Sequence, residues 1–422
     1  MVKHGPSRGC DICKLRKIKC DLTHPACSQC QKAKWTCPGA RAKEPLRTIT
    51  AAAGLAALAN VGNSTEWKAQ AYGLYGTAIC QLQNHLIDPN QMSSDETLGA
   101  IMLMSIFEVI ASAEMDSMKS FSNHIIAAAR CIDIRGPGQF RNGGKTSARL
   151  FVQLRRIITM TCHQLQEPIP HPLQKWSSWT EGANSEVEPT SNRFSELNGR
   201  LAFARAEIKR KSVTCPTVLS SILLPLDMMF EDWRRTLPIS WAFKSYHSLP
   251  SANCQINGYM LQYDVYPDLY IASMWNSYRC VRLLIHESII AAIVKCGSPE
   301  HKETLHHSLT VLKAMADEVC HSVPYHLKLY RNSAYHPGDP TGSEDSRGLP
   351  IPGGYLLFWP LFLSGMLRVT PKDQREWIAS TLCYIGQQMG IQLALSMASA
   401  LEKVESSFSS SETWFIGEFY PS

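Results

Sequence analysis

Six cysteines lie within the first forty residues, and their spacing is the feature of the chain best suited to chemistry. They follow a C-x2-C-x6-C pattern that recurs after six further residues, so the second triplet repeats the first 17 positions later. Thiolate sulfur is a soft ligand, and structural zinc sites use four such ligands in a tetrahedron. The sequence therefore predicts a metal cluster whose ligands are Cys10, Cys13, Cys20, Cys27, Cys30 and Cys37.

The number of cysteines indicates how they would share metal. Two tetrahedral zinc ions need eight ligand positions, so six thiolates can hold two ions only if two of them bridge. Cys10 and Cys27 are the leading residues of the two triplets, and we expect these two to be the bridges. Two zinc ions with six thiolates carry a net negative formal charge, which nearby cations would offset.

The chain between Cys13 and Cys20 is strongly basic. It reads Lys14, Leu15, Arg16, Lys17, Ile18, Lys19. Leu15 and Ile18 lie three positions apart, so a helical turn would place both on one face, toward the cluster, with the basic residues outward. A short cationic helix end that metal holds rigid is suited to entering a groove of DNA.

These residues resemble the fungal zinc binuclear cluster (Zn2Cys6) DNA-binding domain. The resemblance is carried by the six cysteines, residues 14–19, Pro25 before the fourth cysteine, and Pro38-Gly39 after the sixth. It implies two structural zinc ions and a first helix that enters the major groove of double-stranded DNA over a CGG-type triplet. The base-reading pair of the family corresponds to Arg16 and Lys17, and such side chains favour guanine because they donate to its O6 and N7. The other basic residues of the DNA-binding set are expected mainly to neutralise phosphates: Lys14, Lys19, Lys32 and Lys34.

Other roles for the cysteines fit the sequence less well. Disulfides suit a secreted scaffold, but residues 1–9 are polar with no apolar run behind them, so no signal peptide is expected. Residues 25–30 faintly resemble half of a zinc deaminase motif, yet that chemistry needs an upstream His-x-Glu and an open metal position. The main alternative function is a zinc-cluster regulator that docks a protein partner and does not contact DNA directly.

Charge is divided unevenly along the chain. Residues 1–47 carry eleven Lys and Arg against three acids, a net charge of +8, whereas the remaining residues have a net charge of −2. Binding to a polyanion is therefore expected of the amino-terminal head alone. The other nine cysteines are scattered without metal-ligand spacing and are predicted to be buried thiols.

Three segments are predicted: a Zn2Cys6 domain over residues 1–40, a linker over 41–47, and an all-α body over 48–422. Helical patterns follow one another from residue 48 onward, and alternating strand patterns are almost absent. Ser93-Ser94-Asp95-Glu96 has the form of a capping box, and Gly136-Pro137 is a helix stop. No stretch has the length and apolar character of a membrane span. The expected fold is a small Zn2Cys6 binuclear zinc-cluster domain followed by a large all-α domain.

The body more loosely resembles the middle domain of fungal-specific transcription factors, which implies a regulatory role. The resemblance is carried by residues 51–62, 95–108, 132–140, 151–158 and 354–360. A short a/d pattern at Leu46, Ile49, Ala53 and Ala56 could support a dimeric coiled coil, but it spans only about two heptads. The sequence therefore leaves the choice between a monomer and a homodimer open.

An enzyme hidden in the body is the third hypothesis. Gly144-Lys145-Thr146 resembles the end of a phosphate-binding loop, but that motif needs glycine where Gln139 stands and a preceding strand. No Gly-x-Ser-x-Gly elbow occurs. We therefore expect no enzyme but a nuclear, zinc-dependent, sequence-specific transcription factor of RNA polymerase II genes. Its expected partners are double-stranded DNA and the transcription machinery or coregulators.

Overall fold

The computed structural model of the chain describes residues 11–21, 27–33, 45–112, 117–136, 138, 144–169, 189–247, 262–328 and 353–407. Across these ranges α-helix predominates, and β structure is confined to one two-stranded sheet. The predicted all-α body is confirmed. No helix in these ranges is both long enough and apolar enough to cross a bilayer.

The helices are short in the head and mostly long in the body. The head contains α1 (Asp11–Leu15) and α2 (Ser28–Lys32). The body contains α3 (Pro45–Val61), α4 (Thr65–Ile87), α5 (Pro89–Met92), α6 (Asp95–Ala111), α7 (Ser117–Arg135), α8 (Gly144–Leu165), α9 (Pro189–Arg210), α10 (Pro216–Arg235), β1 (Lys244–Tyr246), β2 (Tyr263–Val265), α11 (Leu269–Cys296), α12 (Lys302–His321), α13 (Val323–His326), α14 (Gly354–Met366), α15 (Lys372–Met389) and α16 (Gln392–Ser407).

The body is built around two hydrophobic cores. The first core joins α3, α4, α6, α7 and α8 to the carboxy-terminal helices, with Phe107 and Phe151 fully buried in it. The second core is formed by α9, α10, α11 and α12, which pack around Phe230 and Trp233. Helix α14 contributes to both, since Leu361 packs in the first core and Leu363 in the second. This helix therefore lies where the two cores meet.

Local signals in the sequence set the ends of the helices, with small shifts from the prediction. Helix α3 begins at Pro45, inside the expected linker, because proline suits the first helical turn, where its missing N–H is not needed. Ser94 caps α6 by accepting a hydrogen bond from the amide of Thr97. The capping residue is thus Ser94 instead of the Ser93 that the capping-box pattern required, and Glu96 takes no part in it.

The short a/d seam is used inside the chain. Ile49, Ala53 and Ala56 are buried in the first core, and α3 packs against α4 and α6. Small residues on this face allow the helices to approach closely. The seam is therefore not available for a coiled coil with a second chain, and a homodimer would need another surface.

The small sheet was not foreseen because its strands are only three residues long, too short for an alternating pattern. Strands β1 and β2 are antiparallel, with Ser245 opposite Asp264. The Ser245 hydroxyl donates to the Asp264 carboxylate over 2.7 Å, and the buried Arg279 lies 3.6 Å from the same carboxylate. The sheet is thus tied to α11 through a buried charge.

Two glycines give a matched test of how α15 ends. Gly390 and Gly297 both have φ of +67° at helix carboxy-termini, but a Cβ on Gly390 would collide with the backbone of Ala57, whereas one on Gly297 would meet nothing within 4 Å. We expect Gly297→Ala to cost about 1–2 kcal/mol for the left-handed backbone alone. Gly390→Ala should cost about 1–3 kcal/mol more, because α3 must move. Urea unfolding of both variants measures the difference, and equal losses would contradict the close approach of α3 and α15.

Candidate zinc cluster and nucleic-acid interface

Helix α1 ends in a tight turn within the basic segment. The amide of Ile18 donates to the carbonyl oxygen of Cys13 over 3.0 Å, and Lys17 has φ of +52°. This is the pattern of a Schellman turn, which uses a left-handed residue to stop a helix. The turn fixes the backbone on both sides of Lys17.

This turn corrects the expected orientation of two side chains. Leu15 is 80% exposed and Ile18 is 36% exposed, so neither packs on the cluster. The helix stops at Leu15 and the chain reverses at Lys17, so the two residues never share a helical face. Ile12, one turn earlier, packs against the cysteines instead.

Helix α2 begins at the second cysteine triplet and is held by an acid from the first. Cys27 is its N-cap, and its carbonyl oxygen accepts from the amides of Cys30 and Gln31. The Asp21 carboxylate accepts from the Ser28 amide over 3.1 Å and also from the Ser28 hydroxyl. Since Asp21 follows Cys20 and Ser28 follows Cys27, this contact holds the two thiols near each other. The cysteine spacing alone did not point to Asp21, although an acid and a serine next to paired cysteines are a usable signal.

Three of the predicted ligands come together in the described residues. The thiols of Cys13, Cys20 and Cys27 lie within 4.8 Å of one another, and the Sγ atoms of Cys13 and Cys27 are 3.6 Å apart. Neighbouring sulfurs in a tetrahedral site with Zn–S bonds of about 2.3 Å lie about 3.8 Å apart. This group of thiols therefore fits one zinc ion. Cys30 is fully buried beside them.

The group includes a thiol from the second triplet. Cys13 and Cys20 belong to the first triplet, whereas Cys27 leads the second. A thiol that bridges two ions has to lie close to thiols of both triplets. Cys27 occupies such a position. Cys10 and Cys37 lie outside the described residues.

The basic side chains of the same segments are exposed to solvent, in contrast to most of the thiols. Arg16, Lys17, Lys19 and Lys32 are exposed, whereas Cys13, Cys27 and Cys30 are 0% exposed. Cations on the surface of a thiolate cluster offset its negative charge and remain available to a polyanion. The Lys14 side chain and all of Lys34 lie outside what the structure describes.

The cysteines of the body behave differently from those of the head. Cys131, Cys162, Cys280 and Cys320 are buried, and burial raises the pKa of the Cys162, Cys280 and Cys320 thiols to about 12. Such thiols are poor ligands because they resist deprotonation. Cys80, Cys215 and Cys296 are exposed, so the prediction that these scattered cysteines are all buried is wrong for those three.

A second group of potential ligands in the body is already occupied by an ion-pair network. Asp227, His286 and His307 could approach one ion. However, Arg282 donates to both oxygens of Asp227, over 2.7 and 2.8 Å, and His286 Nε2 lies 3.2 Å from the same carboxylate. A guanidinium bound to the carboxylate disfavours a cation there, so we interpret this group as a buried structural network.

The phosphate-loop resemblance gains no support from the fold. Gly144 is the first residue of helix α8, and residues 139–143 lie outside the described ranges. The Gly-rich segment would connect α7 to α8, and a phosphate-binding loop follows a strand. In the described residues, no strand precedes this position.

Comparison with known proteins gives a family match at the amino-terminal end of the chain and a longer match to a curated relative. A curated relative, "Transcription factor dbaG" of Emericella nidulans, is 27% identical to the chain over 139 residues, which is 33% of this chain and 32% of that protein. The chain thus spans about a third of that relative's length. No solved structure matches the chain. Residues 8–45 match the family described as the fungal Zn(2)-Cys(6) binuclear cluster domain, so the chain carries a small Zn2Cys6 zinc-cluster domain followed by a large all-α domain.

Proposed function

We propose that the chain is a zinc-dependent transcription factor that binds double-stranded DNA through its head. The observation that carries the proposal is a group of three thiols, two of them fully buried, next to an exposed basic turn, in a segment that matches a zinc-cluster family. The metal would fold the segment, and the turn would present cations to a groove. The charge distribution supports this, because the net positive charge is confined to residues 1–47.

The proposed cluster holds two zinc ions with six thiolates. Cys13, Cys20 and Cys27 would bind one ion together with Cys10, and Cys27, Cys30, Cys37 and Cys10 would bind the other. The position of Cys27 beside two thiols of the first triplet supports its role as a bridge. Structural zinc of this kind supplies folding free energy to a segment too small for a hydrophobic core of its own.

Arg16 and Lys17 are proposed to read the bases of a CGG-type triplet, since both are exposed on the turn that ends α1. Lys19 and Lys32, also exposed, would neutralise phosphates together with Lys14 and Lys34. Phosphate contacts orient a protein on the duplex, whereas contacts to base edges give sequence preference.

The cellular role that we propose is gene regulation in the nucleus. A factor of this kind would act in the nucleus on genes of RNA polymerase II, with the transcription machinery or coregulators as partners. The helical body would be a regulatory domain, as its resemblance to the fungal-specific middle domain implies. The relative named as a transcription factor supports this direction.

A second candidate function is a cluster that docks a protein. The exposed Leu15 and Ile18 favour it, because they place apolar surface beside the basic turn. If the chain binds all duplexes of a random pool equally, that result would support protein docking over sequence-specific DNA binding.

Lys17→Ala should relax base preference. The variant loses a hydrogen bond from Lys17 to a base edge. The preferred duplex should therefore lose about 1–3 kcal/mol of binding free energy, whereas duplexes with another base at that position should lose little binding free energy. Alanine and lysine both tolerate a left-handed backbone poorly, so the substitution should leave the stability of the turn about the same. Binding isotherms on the preferred duplex and its single-base variants measure the effect. An unchanged ranking of duplexes would remove Lys17 from base reading.

Lys32→Ala is the matched control. It should weaken binding to all duplexes about equally, and it should reduce the salt slope by about 1. A change in base ranking with Lys32→Ala would contradict the division into base-reading and phosphate-binding residues.

A further inference from the structure

The connection between α9 and α10 carries a run of exposed cations that ends in a serine. Residues 209–212 read Lys-Arg-Lys-Ser, and all four are exposed. The side chains of Lys209, Arg210 and Lys211 are between 54% and 66% exposed. With Glu207, the acid of the same segment, they give residues 207–212 a net charge of +2. A serine that directly follows such cations is accessible to an enzyme whose binding surface is acidic.

The hydroxyl of Ser212 is available for reaction. It lies at the surface and makes no hydrogen bond within the part of the chain that the structure describes. The backbone of Ser212 is left-handed, with φ of +49°. This conformation is unfavourable for residues other than glycine, so a change to an extended backbone would relieve it.

The segment around Ser212 can extend at a small cost in contacts. Two backbone hydrogen bonds close the end of α9, from the amide of Ser212 to Lys209 and from the amide of Val213 to Ile208, both over 3.0 Å. Val213 packs only at the edge of the second core. Helix ends with few buried contacts open far more readily than the core of a domain does. The serine can therefore enter an active site that binds its substrate extended.

A second basic sequence shows which serine or threonine the fold excludes. Arg155 and Arg156 precede Thr159 by four and three positions. However, Thr159 is 6% exposed, and its hydroxyl donates to the carbonyl oxygen of Arg155 over 2.8 Å. Cations lie upstream of both hydroxyls, but only that of Ser212 is exposed.

We propose that Ser212 is a phosphorylation site for a protein kinase that recognises cations on the amino-terminal side of its target. The γ-phosphoryl group of ATP would pass to Oγ of Ser212 as its bond to ADP breaks, and a carboxylate of the kinase would take the hydroxyl proton. Other carboxylates of the kinase would bind Lys209 and Arg210. The site lies on the body, so the proposal does not depend on DNA binding by the head.

The phosphate would change the ion pairs of this segment. Arg210 donates twice to the Glu207 carboxylate, over 2.8 and 2.7 Å, and Nζ of Lys211 lies 2.9 Å from the same group. A phosphoserine carries a charge of about −1.5 to −2 at neutral pH, and it would compete with Glu207 for both cations. Phosphorylation would thus convert a cationic surface segment into a nearly neutral one.

The test is incubation of the full chain with ATP and the catalytic subunit of cyclic-AMP-dependent protein kinase, which selects serines that follow cations. Mass spectrometry of fragments cut after glutamate should find phosphate on Ser212 and none on Thr159. Ser212→Ala should remove the phosphate from this fragment. A chain that takes up no phosphate at Ser212, or takes it up at Thr159 instead, would overturn the proposal.

Variants test whether the cations direct the kinase. Arg210→Gln should lower kcat/KM for phosphorylation at least about tenfold, because a charge-assisted hydrogen bond with the kinase is lost. Arg200→Gln makes the same change at an exposed position further from the end of α9 and should leave kcat/KM unchanged. Circular dichroism should show the same helix content in both variants, since both side chains are exposed. Equal values of kcat/KM for Arg210→Gln and the unaltered chain would contradict recognition through these cations.

Discussion

Cys27→Ser is expected to lower the number of zinc ions that the chain binds and to abolish its base-specific DNA binding. The Cys27 thiol lies 3.6 Å from that of Cys13 and is fully buried, and we propose that it bridges both ions. A serine hydroxyl is a poor zinc ligand, and structural zinc contributes about 10–16 kcal/mol of apparent binding free energy to the folding of such a segment. Native mass spectrometry should find two zinc ions per unaltered chain and fewer in the variant.

The helical body should survive this change. Its two cores are built from residues of the body itself, so its thermal transition should remain in Cys27→Ser and after chelation of zinc from the unaltered chain. Cys80→Ser is the matched control, because this cysteine is exposed on α4. It should retain two zinc ions and full DNA affinity. A Cys27→Ser chain that does the same would exclude Cys27 as a ligand.

Asp227→Asn is expected to destabilise the body by about 3–5 kcal/mol, the range for breaking a buried ion pair. Asp227 is 5% exposed and accepts two hydrogen bonds from Arg282. Its carboxylate also faces His286, which is fully buried. Asparagine has nearly the same shape, so the loss comes from charge and not from a cavity. The variant leaves Arg282 with Glu231 as its remaining acidic partner.

Asp232→Asn on the same helix is the control. Asp232 and Arg235 form an exposed pair 3.5 Å apart, and such pairs contribute about 0–1 kcal/mol. Urea unfolding at neutral pH measures both variants. A loss with Asp227→Asn no larger than that with Asp232→Asn would show that the network contributes little to the stability of the body.

The same network gives a pH dependence with a defined sign. Burial alone would raise the pKa of Asp227, but the His286 ring 3.2 Å away and the two hydrogen bonds from Arg282 outweigh it and lower the pKa to about 2 from 3.8. A carboxyl with a lowered pKa contributes stability above its unfolded pKa and loses that contribution as pH falls through its folded pKa. The unaltered chain should therefore lose stability between about pH 4 and pH 2 more steeply than Asp227→Asn does.

Local chemistry made much of the fold predictable. The stop at Gly136 and the helical periods of the body depend on neighbouring residues, and the structure places long helices there. The cysteine spacing alone likewise predicts Cys13, Cys20 and Cys27 as ligands, and the structure brings these three thiols together. Such features are short in range, so sequence patterns can reveal them.

Other features depend on tertiary structure and could not be read from the sequence. Asp227 and Arg282 are 55 positions apart and meet only because α10 packs on α11. The left-handed backbone at Lys17 arises from the Schellman turn, and no glycine marks it. Likewise, Arg205 of α9 donates to the carbonyl oxygen of Leu284 and the hydroxyl of Ser288 on α11, which lie 79 and 83 positions away in the sequence, and neither helix's pattern indicated these contacts.

Selection of duplexes from a random pool by the whole chain, with zinc present and after its chelation, tests zinc-dependent base reading most directly. We predict enrichment of CGG-type triplets with zinc, steep weakening of binding with added salt, and no enrichment once zinc is removed. Retention of duplexes without base preference, or a preference that persists after chelation, would contradict a zinc-held basic turn that reads DNA.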